Sequence, residues 1–205
     1  MRVLVFGASI TQGFWDTEGG WVQRLRNHYD SLQVKDFSQD QPTIFNLGVS
    51  GDSTEELLAR FEHETRARVF RQDPLSFVFS IGNNNAREED GQLYTTPEKY
   101  LVDIQQIVEQ AREFSNKILF VGLPACDETR TVPVAWRDIN YRNNNLWAIE
   151  EATRKFCQKE SIPHVPIFEK FVDRPELLAD GLHPNNDGHQ LIADLVRPSF
   201  EKLIS

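Results

Sequence analysis

Several short segments of the chain place chemically capable side chains beside glycines. The first is Phe6-Gly7-Ala8-Ser9-Ile10-Thr11. A glycine lets the backbone turn sharply, so the Ser9 hydroxyl is presented as a nucleophile. Taken alone, this segment also fits a helix cap or a phosphate contact. Thr11 stands where the second glycine of a G-x-S-x-G elbow belongs. The second segment, Asn46-Leu47-Gly48-Val49-Ser50-Gly51-Asp52-Ser53, brackets a turn with glycines whose amides can approach an anionic oxygen closely. The third, Ser80-Ile81-Gly82-Asn83-Asn84-Asn85, ends in asparagines, which suit turns. A side-chain NH2 there could also donate to a developing oxyanion, which an ionised carboxylate could not. The fourth is Asp180-Gly181-Leu182-His183-Pro184-Asn185. Histidine is the readiest general base near neutral pH, and a carboxylate accepting from Nδ1–H fixes its tautomer. Asp187 and His189 raise a metal site as a rival, although both fit the start of a final helix. His28, His63 and His164 read as structural or surface residues. Together the segments offer a nucleophile, a base, an orienting carboxylate and two kinds of oxyanion donor, the set that acyl transfer requires.

Strands and helices must bring these segments to one place. Apolar runs predict strands at Arg2–Phe6, Thr43–Leu47, Leu75–Ile81, Lys117–Gly122 and, less sharply, Ile162–Ile167. Trp21, Val22, Leu25, His28, Tyr29 and Leu32 share one helical face. Ser53 and Glu56 suit a capping box before Leu57 and Phe61. Thr96-Pro97 marks another helix start, followed by a stripe from Tyr100 to Phe114. A fourth helix is expected from about Asn143 to Lys159, and a last one after Asn186 that bends or stops near Pro198. With no repeat, linker or shift in composition, residues 1–205 read as a single domain. The alternation predicts an α/β fold, a three-layer α/β/α sandwich with a five-stranded parallel sheet. Ligands of such sheets bind beyond the carboxyl ends of the strands, where all four segments fall.

Composition narrows the partners. The net charge of −9 repels phosphate backbones and argues against nucleic acid. No apolar run approaches the roughly 20 residues of a membrane span. Val3–Phe6 is too short for a signal-peptide core of about 7–15 residues, so a cytoplasmic location is expected. The two cysteines do not suggest a disulfide framework. Cys157 falls on a helical apolar face. Cys126 falls in a loop, where a reactive thiol is the alternative to burial.

In order and placement the four segments resemble the blocks of the SGNH (GDSL) hydrolase superfamily. Gly7-Ala8-Ser9-Ile10 resembles G-D-S-L, and Gly82-Asn83-Asn84-Asn85 resembles G-x-N-D. The resemblance implies a flavodoxin-like SGNH hydrolase fold and a Ser9–His183–Asp180 triad. It also implies an oxyanion hole from the Ser9 and Gly51 amides and the Asn84 side chain, with Asn83 and Asn85 as fallbacks. No metal or organic cofactor is implied. Ala8 and Asn85 replace two aspartates of the blocks, leaving open how the nucleophile loop is braced and how the third block is held. The substrate implied is a small-molecule ester. Phe14, Trp15 and Trp136 are candidate pocket walls, the last in a long connection, Pro124 to Tyr141, that also holds Arg130 and Arg137. A carbohydrate acetylesterase, or a thioesterase or lysophospholipase, would use the same machinery. A flavodoxin-like module binding a phosphate ligand and an inactive interaction protein are the non-enzyme alternatives. A homo-oligomer is compatible with the sequence.

Overall fold

The N-terminal apolar run becomes an interior strand of the sheet because both of its faces need cover. In a computed structural model describing residues Met1–Ser205, Val3, Leu4, Val5 and Phe6 are fully buried. A strand that is apolar on both sides suits a parallel sheet with helices on each face. In chain order the elements are β1 (Arg2–Gly7), α1 (Ser9–Gln12), α2 (Gly20–Lys35), β2 (Thr43–Gly48), α3 (Thr54–Arg66), β3 (Leu75–Ser80), β4 (Arg87–Glu89), β5 (Gln92–Leu93), α4 (Pro97–Arg112), β6 (Ile118–Val121), α5 (Glu128–Thr131), β7 (Asn140–Tyr141), α6 (Asn143–Glu160), β8 (His164–Val165) and α7 (Asn186–Ile204).

Five strands form the expected parallel sheet, in the order β2-β1-β3-β6-β8. The helices α2 and α7 pack together, while α3, α4 and α6 form the other layer. Strand order reverses beside β1, so the crevice beyond β1 and β3 is where this topology binds ligands. Register sharpens that placement. Gly7 lies opposite both Gly48 and Ser80, so the three segments that follow leave the sheet at one level. Phe61 of α3 packs on Phe6, ring centroids 5.0 Å apart, and Phe79 packs on Phe120 at 5.2 Å. Burying each such side chain contributes roughly 1.5–3 kcal/mol.

The predicted helix starts are present. Ser53 and Glu56 form the capping box, and the Thr96 side chain accepts from the Lys99 N–H with Pro97 at the first turn. Two expectations need correction. The strand expected at Ile162–Ile167 shrinks to His164–Val165, because Pro163 and Pro166 flank it and neither has an N–H for the ladder. The last helix does not stop near Pro198 but runs on to Ile204. Its apolar stripe, including Val196, Phe200 and Leu203, is buried along the whole length and outweighs the bond that proline removes. A small antiparallel sheet, β5-β4-β7, was not expected. The connection from Pro124 to Tyr141 holds α5 and ends in β7 rather than being irregular throughout. No helix is long and apolar enough to cross a membrane.

Candidate active site

Gly7 has no room for a side chain. A Cβ there would lie 2.0 Å from Thr11 Oγ1 and 2.4 Å from the Ser80 carbonyl oxygen. The chain therefore passes from β1 into α1 hard against β3, which sets Ser9 at the first position of α1. A first-turn N–H has no intrahelical acceptor, so the Ser9 amide is left to face a ligand. The turn is braced without an aspartate at position 8. Asn46 Nδ2 donates to the Thr11 carbonyl at 2.8 Å, Thr11 Oγ1 to the Ser80 carbonyl at 3.3 Å, and the Ser50 N–H to Gln12 Oε1 at 2.9 Å.

Ser9 Oγ lies 2.9 Å from His183 Nε2, and His183 Nδ1 lies 2.7 Å from Asp180 Oδ2. An ionised carboxylate only accepts, which assigns the ring proton to Nδ1 and leaves Nε2 to accept from the serine hydroxyl. Asp180 is held from several sides. Its Oδ1 accepts the N–H groups of Leu182 and His183 at 3.0 and 2.8 Å, and its Oδ2 also accepts the Trp15 indole N–H at 2.7 Å. Burial disfavours the charge, but hydrogen bonds from the ring and backbone of His183 outweigh it and hold the carboxyl well below the usual range.

The other two segments line the same cavity as the serine. Gly51, at φ +92°, turns in a conformation that favours glycine, and its N–H has no backbone acceptor. Asn84 Nδ2 donates one hydrogen to the Asp52 carbonyl at 2.9 Å, while Asn84 Oδ1 accepts from the Tyr141 hydroxyl at 2.9 Å. These bonds fix the amide's orientation and leave its second hydrogen free. Asn85, buried, holds the segment to α3. Its Oδ1 accepts the Thr54 N–H at 3.2 Å and its Nδ2 donates to Thr54 Oγ1 at 2.8 Å. Asn83 makes no side-chain hydrogen bond through Nδ2 and does not line the cavity.

A cavity of about 260 Å³ opens at this point, lined by Ser9, Ser50, Gly51, Asn84, His183 and residues of the 87–141 region. Trp136 lines it, with its ring 5.8 Å from that of His183. Phe14 and Trp15 do not line it. They stack on each other at 4.5 Å and lie 5.9 and 6.2 Å from the His183 ring. Arg137 lines the cavity, whereas Arg130 donates to backbone carbonyls of Leu178 and Ala179.

The sequence did not single out several supporting residues. Arg60 Nε pairs with Asp52 Oδ2 at 2.7 Å, and its Nη2 donates to the Leu47 carbonyl at 2.8 Å, tying α3 to the end of β2. Tyr141 and the Trp15 indole N–H gave no signal either, since each acts on a residue remote in the chain. His189 had been a rival metal ligand, but both ring nitrogens are engaged. Nδ1 accepts the Trp21 N–H at 3.3 Å and Nε2 donates to the Phe14 carbonyl at 2.8 Å. Cys126 is buried, and burial pushes its thiol up to about 11, so the reactive-thiol alternative fails. Cys157 is in the core as expected, and Asp187 lies in the first turn of α7.

Comparison with known proteins bears on the family and the fold. The model of the GDSL-like Lipase/Acylhydrolase family matches residues 5–191. The chain is 22% identical over 208 residues to thioesterase 1/protease 1/lysophospholipase L1 of Escherichia coli, covering 99% of this chain and 85% of that protein. The crystal structure of the acetyl xylan esterase AlAXEase is similar, with TM-score 0.76 and 19% identity over 97% of this chain and 99% of that one. The lipase/acylhydrolase from Enterococcus faecalis is similar at TM-score 0.75 and 20% identity, over 98% of this chain and 95% of that one. At such identities the structural likeness speaks to the fold, while the family match runs from β1 into α7. The chain belongs to the GDSL-like lipase/acylhydrolase family and is a carboxylic ester hydrolase.

Proposed function

We propose that the protein hydrolyses small O-acyl esters through an acyl-enzyme, with Ser9 as nucleophile, His183 as general base and then acid, and Asp180 as orienting anion. The unbroken chain of hydrogen bonds from Ser9 Oγ through the imidazole to the Asp180 carboxylate carries this reading. Ser9 Oγ attacks the ester carbonyl carbon as its proton passes to His183 Nε2. The carbonyl π electrons move to oxygen, which the Ser9 and Gly51 N–H groups and Asn84 Nδ2–H hold. Collapse expels the alcohol, which takes the proton from His183. Water then attacks the acyl-serine by the same route, releasing the acid and restoring the hydroxyl. A positioned base of this kind contributes about 10²–10⁴ in rate, and each oxyanion donor about 10²–10³. The modest cavity, about 260 Å³, supports a short acyl group over a long fatty chain.

A fluorophosphonate probe followed by peptide mapping tests the assignment. We expect phosphonylation of Ser9, and loss of both labelling and nearly all ester turnover in a folded Ser9→Ala variant. Turnover by Ser9→Ala close to that of the unmodified enzyme would refute the assignment.

A further inference from the structure

The walls of the cavity include two arginines, Arg87 and Arg137, and no carboxylate. This stands out in a chain of net charge −9. Arg87 is rigidly held. Its guanidinium lies 3.6 Å from the centroid of the Tyr94 ring, its Nε donates to Glu89 Oε1 at 2.9 Å, and its Nη1 reaches the Asn84 carbonyl at 3.4 Å. Its Nη2 has no protein partner. Arg137 Nη2 lies 3.2 Å from the same Glu89 oxygen, makes no side-chain hydrogen bond otherwise, and is exposed. One carboxylate thus gathers two guanidinium groups side by side, so these three side chains together carry a net positive charge in the cavity wall. The lining of the cavity fixes which part of a substrate meets that charge. The leaving alcohol must lie next to His183 to take its proton, and Trp136, beside Arg137 in the chain, has its ring 5.8 Å from that of His183.

We propose that this site selects esters whose alcohol portion carries an anionic group, held by Arg137 and Arg87. The proposal rests on the ester hydrolase reading above and names its substrate class. Range decides between the local cations and the acidic whole. Charges beyond about 8–10 Å are largely screened at physiological ionic strength. The scattered surface carboxylates therefore weaken with distance, while the arginines in the cavity wall act at contact. Hydrogen bonds to a charged group are also the stronger kind, and arginine suits planar recognition of a carboxylate.

The test compares para-acetoxybenzoate with para-acetoxybenzamide, which share an acetyl group and differ in charge on the leaving phenol. Each kcat/KM is divided by the rate of alkaline hydrolysis of the same ester. We expect the anionic ester to be favoured about tenfold, the scale of one charged hydrogen bond. The advantage shrinks as sodium chloride is raised and falls in Arg137→Gln, with Arg137→Lys retaining part of it. A purely structural Arg137 would lower both esters alike and leave their ratio unchanged. An unchanged ratio, or equal preference in the unmodified enzyme, overturns the proposal while leaving esterase activity intact. Absence of turnover on both esters overturns the hydrolase reading and the proposal with it.

Discussion

Trp15 commits its one polar group to Asp180, and this distinguishes a positioning role from a pocket wall. The indole N–H and the His183 Nδ1–H meet on the same carboxylate oxygen, each at 2.7 Å. The arm carrying Trp15 is itself held, because His189 donates to the Phe14 carbonyl and the Trp15 N–H reaches the Pro184 carbonyl at 3.3 Å. Trp15→Phe keeps the stack on Phe14 but deletes the donor. Since Trp15 is 55% exposed, water can partly replace it. The expected loss is therefore modest, about three- to tenfold in kcat, at the lower end for a bond to a charged group. KM should move little. A raised KM at constant kcat would instead restore the substrate-wall role that its place in the sequence suggested. At this scale the sequence was legible where chemistry dictates residue type. Acyl transfer needs a hydroxyl, an imidazole and a carboxylate, and Ser9, His183 and Asp180 stand in glycine- or proline-marked turns. The partners of Trp15 and Tyr141 were hidden because each lies far away in the chain and only the fold supplies the contact.

Level ends on neighbouring strands turn separate segments into one site. β1, β2 and β3 finish together at Gly7, Gly48 and Ser80, and the loops beyond them are cross-tied. Asn85 shows what such a tie demands. Thr54 Oγ1 donates to Asp103 Oδ2 at 2.9 Å, so the same oxygen must accept from Asn85 Nδ2. An aspartate at position 85, as in the G-x-N-D block, could still accept the Thr54 N–H but could not donate. It would also bring a second carboxylate toward Asp103. Asn85→Asp should therefore destabilise the fold by about 1–3 kcal/mol, the cost of an unmet buried polar group. Urea unfolding near neutral pH measures this, and a midpoint unchanged from the unmodified protein would disprove it. The long strands and helices were legible from their apolar period. β4, β5 and β7 were not, because segments of two or three residues carry no period to read. Yet β4 and β7 place Arg87 opposite Tyr141, both at the cavity.

For the molecule as a whole, acidification sets two effects of opposite sign against each other. With a net charge of −9, proton uptake below neutral pH relieves self-repulsion and favours the compact state. His189 works the other way. It is fully buried, and burial drives its ring below the ordinary histidine value, with Nδ1 accepting from the Trp21 N–H. The unfolded chain then binds a proton that the folded chain refuses, so His189 contributes its full stability above about pH 6.5 and loses it as pH falls below that value. Asp180 has the same sign in a lower window, from the ordinary carboxylate value of about 3.9 downward. The two windows separate the contributions. Between about pH 7.5 and about pH 5.5 only the histidine window is crossed, with a slope of at most about 1.4 kcal/mol per pH unit for one proton. His189→Gln removes that titration while an amide N–H can still reach the Phe14 carbonyl. Relief of repulsion is common to both proteins and cancels in the difference. The unmodified protein should therefore lose unfolding free energy relative to His189→Gln as pH falls through this range. Parallel pH profiles for the two proteins would mean that the buried ring accepts its proton without cost, and that the acid response belongs to the surface charge alone.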